Sequence, residues 1–317
     1  MHVVIISEHD DAHIPFVREH LSKHARVTII DPYGGIKEKQ SISFGFNGSG
    51  LSTLVDGKPH DDVTAVWYRK PTILENVNLR VDEHYRTSVE SALKSHHSVL
   101  QYHWKDALWV SKFEAKKAAE HKPHQMEVAN SLGLRVPKTL ITNDAVLAQT
   151  FLHEQKLCVF KTQMTAFPPG KFMMTKLVSS NENIDWSGLY LNPMIFQQYI
   201  EPAYELRVTV VGKKLFAAKV GGKDIDGKTG PFRDWRYAHL NDTFYAEETL
   251  LDQPIAEACI KLVEKLKLNF GAIDFIVDKK GQVWFLEINP NGQWAFIEEE
   301  TGQQIGKALA ELLEQKV

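Results

Sequence analysis

Three polar residues near the carboxyl end of the chain have the types and spacing of a metal site. Asp274 lies in one apolar run, GAIDFIV (271–277), and Glu287 and Asn289 lie in the next, WFLEIN (284–289). Residues two apart on a strand face the same side, and a short DKKG turn can pair the two runs. Two carboxylates and an amide oxygen are hard ligands suited to magnesium that also holds phosphates. The alternative is a solvated polar face, which the flanking apolar residues disfavour.

Two strand-borne basic residues and one other lysine could bind phosphate. Lys161 lies in the apolar run CVFKT, directly before a Pro- and Gly-containing loop at 163–171 that could cover a nucleotide. Arg207 lies in ELRVTVV with Glu205 on its side of the strand, where it could clamp a phosphoryl group. The alternatives are a solvent-facing lysine and a Glu–Arg pair that stabilises the surface little. Lys122, just before a proline, is by itself simply a lysine that flanks a helix.

Composition limits the classes of protein to consider. The chain has 317 residues, of which 43% are hydrophobic and 24% charged, so one large or two modest domains can form a real core. A formal net charge of −3 argues against nucleic-acid binding by bulk charge. No apolar run reaches the roughly 18 residues that span a membrane. The two cysteines cannot form a dense disulfide framework, and no signal peptide is evident, so we expect a cytoplasmic protein.

The elements that must position these residues belong to an α/β (α+β) fold. The opening alternates strand (3–7), helix (14–24) and strand (27–30), which predicts a small parallel-sheet domain. It lacks the G-x-G-x-x-G motif of a dinucleotide site. An irregular segment and a third strand, VTAVWY, follow. We place one domain at 1–110 and the second at 111–317.

The second half of the sequence predicts a succession of strands and helices. Strands are expected at 157–162, 172–178, 194–200, 205–211, 214–220, 271–277 and 283–288. Gly212 is typical of the turn of a hairpin, VVGKKLF. Asp144 is a candidate helix cap. An amphipathic helix is predicted at 252–267 and a further helix at 301–316.

Taken in order, these segments resemble the ATP-grasp ligases, and more narrowly the microviridin-type (graspetide) ligases that macrocyclise ribosomal peptides. The narrower resemblance rests on WYRKP (67–71), HKPHQMEVANSLGLRVPKTLITN (121–143), IFQQYIEPAYELRVTVVGKKLFAAKV (195–220), DWR (234–236) and FLEINPNGQWAFIEEETGQQI (285–305). It covers nearly the whole chain. Three departures, at Lys70, His121 and Glu205, indicate a divergent member.

The resemblance implies an ATP-grasp fold with a small pre-ATP-grasp α/β domain, and ATP between two α+β halves of the second domain. Lys122 and Lys161 would contact phosphates. Magnesium would be held by the three residues named first. The sets implied for the nucleotide and the substrate are as follows: Gln198, Tyr199 and Ile200 for adenine, Gln198 or Glu201 for ribose, Arg207 with Glu205 for catalysis, and Asp234 and Arg236 for the substrate or its leader.

The implied activity is that of an ADP-forming ligase with ATP and Mg²⁺. A peptide carboxylate would become an acyl phosphate, and a Ser/Thr hydroxyl or a Lys amine would attack it. The partner would be a ribosomal precursor peptide with a leader segment, and relatives of this kind are often homodimers. The alternatives are a glutamate-ligase-like enzyme that adds an amino acid to a protein or small molecule, and an inactive nucleotide-binding module.

Overall fold

The computed structural model describes residues 1–36, 39–46, 48, 50–74, 77, 79–163, 176–223, 229–230 and 244–315. Within these ranges the strands are β1 (His2–Ile6), β2 (Arg26–Ile30), β3 (Ile42–Phe46), β4 (Leu51–Val55), β5 (Lys58–Pro59), β6 (Ala65–Tyr68), β7 (Leu108–Val110), β8 (Thr139–Thr142), β9 (Leu157–Thr162), β10 (Lys176–Ser179), β11 (Met194–Gln198), β12 (Pro202–Val211), β13 (Lys214–Lys223), β14 (Thr229–Gly230), β15 (Phe244–Glu248), β16 (Phe270–Asp278) and β17 (Val283–Asn289). The α-helices are α1 (His13–Arg18), α2 (Glu83–Tyr102), α3 (Phe113–Ala119), α4 (Lys122–Ser131), α5 (Ala145–Gln155), α6 (Gln253–Lys265), α7 (Ala295–Thr301) and α8 (Ile305–Leu313), and one 3₁₀ turn lies at Gly34–Ile36.

The amino-terminal sheet is parallel, as predicted. Its strand order is β2-β1-β6-β7, and each neighbouring pair runs in the same direction. All five residues of β1 are buried, which explains the unbroken apolar run, because a parallel strand is covered on both faces. Helix α1 is shorter than the predicted helix. Leu21, which extended the helical spacing, is buried from the turn that follows.

A small antiparallel sheet lies where the sequence predicted an irregular segment. Strands β3, β4 and β5 pair in that order, and β4 turns into β5 through Asp56 and Gly57, both with positive φ. Only Thr53 and Val55 of this sheet are buried. The hydrophobic alternation is therefore short and interrupted by Gly and Ser, which conceals strands from a pattern search.

Two antiparallel sheets carry the rest of the predicted site. The first has the order β10-β9-β11-β8 and packs against α5. Asp144 caps α5 as predicted, since its carboxylate accepts from the amides of Val146 and Leu147 at 2.8 and 3.1 Å. The second has the order β14-β13-β12-β16-β17, with β15 on β13. The β12–β13 hairpin turns at Gly212, which has a φ of 57°.

The second sheet is covered on both faces. Leu206 and Val208 of β12 face a core that includes α6, whereas Val211 faces a second core with α8 and residues of the amino-terminal sheet. This alternation places Arg207 and Thr209 on the second face. One face of the second sheet therefore packs toward the amino-terminal sheet.

The predicted helix at 301–316 corresponds to α8, which is shorter than predicted, and a further helix, α7, precedes it. Gly302 ends α7 in the left-handed conformation, with a φ of 72°. The buried Glu298 then accepts from the amide of Gly306 at 2.7 Å near the start of α8. Both cysteines, Cys158 and Cys259, are free and buried. Among the helices described, none is long and apolar enough to cross a membrane.

Candidate active site

Arg207, Asp274 and Glu287 form a row across three adjacent strands. The register pairs Arg207 of β12 with Asp274 of β16, and Asp274 with Glu287 of β17. Arg207 Nη1 donates to both carboxylate oxygens of Asp274, at 2.7 and 2.8 Å. A β-bulge directly after Asp274 interrupts the ladder between β16 and β17. Bulges of this kind re-aim side chains next to active sites.

Lys122 completes the row from the first turn of α4. Its Nζ donates to Glu287 Oε2 at 2.6 Å, and both side chains are about one-quarter exposed. Pro123 occupies the start of the helix, where its missing amide costs nothing. We call Lys122, Arg207, Asp274 and Glu287 the catalytic row. In this row two adjacent carboxylates are flanked by one cation at each end.

Asn289 lies two residues after Glu287 on β17 and pairs with Ala272 of β16. Its Oδ1 accepts from the amide of Asn291 at 2.9 Å, so its side chain is fixed by the loop that follows β17. The same loop holds Arg207, whose Nη2 donates to the carbonyl of Gln293 at 3.0 Å. A single loop, 289–294, thus touches both the third predicted metal ligand and the predicted catalytic arginine.

The three predicted metal ligands form a donor set that fits magnesium. Asp274, Glu287 and Asn289 offer hard oxygen atoms on one face of the hairpin, as the sequence predicted. Among the described residues, no group of three or more His, Cys, Asp and Glu side chains could hold a metal ion. Two carboxylates and an amide suit an ion that keeps waters or phosphate oxygens in its other positions.

Lys161 lies in the other sheet, on β9. Its Nζ donates to Gln197 Oε1 of β11 at 3.1 Å, and Gln197 Nε2 donates to Thr139 Oγ1 of β8 at 2.9 Å. Lys161 is half-buried. The side chain is therefore oriented by a polar chain across three strands, which a lysine on a purely solvent-facing edge would lack. Most of the loop predicted at 163–171 lies outside the described residues.

The predicted adenine and ribose residues lie at the end of β11. Gln198 is bound twice to Lys138: its amide donates to the Lys138 carbonyl at 2.8 Å, and its Oε1 accepts from the Lys138 amide at 3.4 Å. The amide of Tyr199 donates to the Leu157 carbonyl at 3.2 Å. The exposed Glu201 accepts from Lys279 Nζ at 2.6 Å.

Of the remaining predicted site residues, the structure describes Glu205 and leaves two outside the described ranges. Glu205 is half-buried and pairs in register with Ile276, two residues before Arg207 on β12. It therefore flanks the row as expected. Asp234 and Arg236 lie outside the described residues.

Sequence reasoning missed a buried charged network beside the row. Arg69, which follows β6, has its Nε 3.4 Å from Asp11 Oδ2 and its Nη1 2.7 Å from the Asn291 carbonyl. His13 Nδ1 lies 2.8 Å from Asp11 Oδ1. Arg69 lies in the WYRKP segment and Asn291 lies in NPNGQW. Both segments contribute to the family resemblance, and that was the signal in the sequence that could have pointed to these two residues.

A buried lysine was missed as well. Lys116 of α3 is 5% exposed, and its Nζ donates to the Tyr68 carbonyl at 2.9 Å. Burial lowers the pKa of Lys116 to about 7, and the charge of Glu120 opposes the shift only in part. Nothing in the local sequence, FEAKKAA, distinguishes Lys116 from its exposed neighbour Lys117.

Comparison with known proteins agrees with this geometry. A family model described as a RimK-like ATP-grasp domain matches residues 119–313, more than half of the chain. The chain therefore belongs to the RimK-like ATP-grasp family, and the predicted ATP-grasp fold and ligase class are confirmed. No curated protein matches the chain.

Solved structures resemble nearly the whole chain, and three of them are as follows. A RiPP-associated ATP-grasp ligase of Chryseobacterium gregarium, in complex with ADP and a leader and core peptide, has 25% identity and a TM-score of 0.84, over 98% of this chain and 96% of that one. The macrocyclase MdnC of Microcystis aeruginosa MRC, bound with precursor peptide MdnA, has 26% identity and a TM-score of 0.84, over 99% of both chains. The macrocyclase MdnB of the same organism shares the fold, with 23% identity and a TM-score of 0.78 over 99% of both chains.

Proposed function

We propose that this protein is an ATP-dependent ligase that macrocyclises a ribosomally made peptide. It activates a side-chain carboxylate as an acyl phosphate and joins it to a Ser/Thr hydroxyl or a Lys amine. The observation that carries the proposal is the catalytic row, in which Arg207, Asp274 and Glu287 lie in register on three strands and Lys122 pairs with Glu287. Asn289 lies beside this row on β17. The similarity to peptide-bound ATP-grasp ligases over nearly the whole chain supports the peptide as substrate.

The proposed reaction has two steps, phosphorylation of the carboxylate and acyl transfer to the nucleophile. A carboxylate oxygen attacks the γ-phosphorus of ATP, ADP leaves, and a carboxyl–phosphate bond forms. The hydroxyl or amine then attacks the acyl carbon, loses a proton and releases phosphate, leaving an ester or an amide. Phosphoryl transfer needs positioning and charge stabilisation more than covalent chemistry from the protein.

The residues of the row supply that stabilisation. Arg207, held in plane by Asp274 and Gln293, would face the charge that develops on the transferred group. Lys122 and Lys161 would bind phosphate oxygens from the two sheets, with Glu205 at the edge of the row. Asp274, Glu287 and Asn289 would hold Mg²⁺, which neutralises phosphate charge when bound.

The nucleotide would lie between the two antiparallel sheets, which meet at residues 199–201. Backbone groups of Gln198, Tyr199 and Ile200 would receive adenine, and Gln198 or Glu201 the ribose. The salt bridge of Glu201 with Lys279 is exposed and so stabilises little, which leaves Glu201 able to exchange partners.

Several finer assignments remain proposals. We assign Asp234 and Arg236 to contact with the peptide or its leader, and we place the domain division at residue 110. We also propose a homodimer that acts in the cytoplasm on a leader-bearing precursor.

Intact-mass analysis of a candidate precursor peptide tests the function. The candidate is a short peptide rich in Thr, Ser, Lys, Asp and Glu that is encoded beside the gene, incubated with the enzyme and Mg-ATP. We expect loss of one water per ring with the parent enzyme and no loss with an Asp274→Asn/Glu287→Gln variant. An unchanged peptide, with ADP formed only when free amino acids are added, would instead support a glutamate-ligase-like enzyme. Tight ATP binding without ADP formation from any acceptor would support an inactive binding module.

A further inference from the structure

The loop that carries Asn289 is fixed from outside its own sheet. Arg69 Nη1 donates to the Asn291 carbonyl at 2.7 Å and lies 3.3 Å from Asn291 Oδ1. In return, Asn291 Nδ2 donates to the Arg69 carbonyl. The two residues are 222 positions apart, so this reciprocal contact joins the carboxyl end of β6 to the loop after β17.

A second contact fixes the far end of the same loop. His13 Nε2 accepts from the amide of Trp294 at 3.0 Å. Because a backbone amide can only donate, the His13 proton is on Nδ1, where it is donated to Asp11 Oδ1 at 2.8 Å. Asp11 thereby orients the ring of His13.

Arg69 and His13 also support each other. Arg69 Nη2 packs against the His13 ring, 3.1 Å from Nδ1, and Asp11 contacts both residues. Asp11, His13 and Arg69 are all less than one-tenth exposed. We call Asp11, His13, Arg69 and Asn291 the Arg69 clamp.

The clamp reaches the catalytic row through two hydrogen bonds of the loop. The Asn291 amide donates to Asn289 Oδ1, and the Gln293 carbonyl accepts from Arg207. A movement of the loop would therefore displace both the side-chain oxygen of Asn289 and one anchor of Arg207.

We propose that the Arg69 clamp is a positioning device for the metal site, so that the amino-terminal sheet sets the geometry of Asn289 and Arg207. This inference rests on the proposed function, because it requires a metal ion at Asp274, Glu287 and Asn289. Partners that orient metal ligands typically change metal affinity or activity by about 10- to 100-fold when mutated. Arg69 and Asn291 are positioning residues in this account.

The test measures binding of Mn²⁺ to the protein saturated with ADP, by titration calorimetry. Asn291→Ala removes both side-chain contacts with Arg69 in a half-buried loop, and Arg69→Lys keeps the charge but cannot span Asn291 and His13 together. We expect Mn²⁺ affinity to fall about tenfold in each variant. Affinity for ADP in the presence of EDTA should stay within about twofold, since the clamp positions the metal ligands and not the nucleotide. The matched control is Arg18→Gln, an exposed arginine of α1, which should bind Mn²⁺ like the parent.

Each outcome decides between the claims. Unchanged Mn²⁺ affinity in folded Asn291→Ala protein overturns the positioning role, even if Arg69→Lys fails to fold. Equal losses of Mn²⁺ and ADP affinity also overturn it, because they indicate general loosening of the fold. A third outcome is that the parent and an Asp274→Asn/Glu287→Gln variant bind Mn²⁺ equally, or that neither binds it. The metal site of the proposed function is then wrong, and the inference fails with it. If the parent binds Mn²⁺ at this site and the Asn291→Ala variant binds it with the same affinity, the inference is wrong but the proposed function stands.

Discussion

The catalytic row and the Arg69 clamp each combine cations with carboxylates, but their surroundings differ. In the row, the Lys122 and Glu287 side chains are both 26% exposed and contact each other by one hydrogen bond. In the clamp, the Asp11 and Arg69 side chains are 5% and 2% exposed, and backbone groups of the loop complete the network. A partly exposed pair such as Lys122–Glu287 stabilises the fold little and can exchange its partner for a ligand. A buried pair cannot lose a partner without leaving an uncompensated charge.

The pKa values of the clamp residues reflect their burial and their mutual contacts. Burial would raise the pKa of Asp11, but the hydrogen bond from His13 and the charge of Arg69 outweigh it and lower that pKa to about 2. Burial lowers the pKa of His13, against the effect of Asp11, so the ring is neutral as its hydrogen bonds require. The clamp therefore keeps one arrangement, whereas in the row the Lys122–Glu287 pair can exchange partners and the Arg207–Asp274 pair, whose side chains are 4% and 16% exposed, is held in place.

Replacement of Glu287 by Gln should have the largest effect of the variants considered, and this effect should be on activity. Loss of one metal-binding carboxylate should lower kcat about 10³-fold, which corresponds to about 4 kcal/mol. The melting temperature should change by less than about 3 °C, because the salt bridge between Lys122 and Glu287 is partly exposed. Steady-state kinetics and calorimetry measure the two quantities. The control is Glu311→Gln, which breaks an exposed pair with Lys214 and should alter neither. A large loss of stability with retained activity would reverse the roles assigned to row and clamp.

Replacement of Asp11 by Asn should instead destabilise the fold. Arg69 would lose its buried counter-charge, and we expect the free energy of unfolding to fall by about 3 kcal/mol at pH 7. Because folding lowers the pKa of Asp11 from its ordinary 3.8 to about 2, its contribution is full above pH 4 and disappears as the pH falls to 2. Urea unfolding of parent and variant across this range should show the two curves converging at low pH. A difference that does not depend on pH would contradict the assignment.

Gly292 tests the loop where the two clusters meet. A Cβ at this position would lie 2.5 Å from Ala272 Cβ and 2.6 Å from Arg207 Nη2. Gly292→Ala should therefore displace Arg207 and cost about 2 kcal/mol of stability together with about tenfold in kcat. Gly188→Ala is the matched control, since a Cβ there would meet nothing within 4 Å. Normal kinetics of Gly292→Ala would show that the position of this loop does not matter for the row.

The effect of Lys116 should appear only as a slope of the free energy of unfolding with pH. Its folded pKa is about 7, below the ordinary 10.5, so the unfolded chain binds more protons between these values. Stability should therefore rise with pH from 7 toward 10, by at most about 1.4 kcal/mol per pH unit from this group. Lys116→Met should remove that rise, whereas Lys117→Met, an exposed lysine of the same helix, should keep it. Parallel curves for parent and Lys116→Met would contradict burial of an amine at this site.

The row was predictable from sequence and the clamp was not, for physical reasons. Asp274, Glu287 and Asn289 interrupt apolar strands at a fixed spacing across a short turn, so local periodicity places them on one face. Arg69 and Asn291 meet across 222 positions, and no local pattern reports that contact. The small sheet of β3 to β5 was missed because little of it is buried. Helix α7 was missed because it is only seven residues long and most of its residues are buried, so its sequence does not reveal a helical period.

The central claim, activation of a peptide carboxylate by phosphoryl transfer, is tested most directly by following its oxygen. A precursor peptide whose Asp and Glu side-chain carboxylates carry heavy oxygen is cyclised with unlabelled Mg-ATP, and the released phosphate is analysed by mass. The account predicts one heavy oxygen in the phosphate for each ring formed, because the carboxylate oxygen bonded to phosphorus leaves with it. Ring formation that leaves the phosphate unlabelled would contradict an acyl phosphate and the role assigned to the catalytic row.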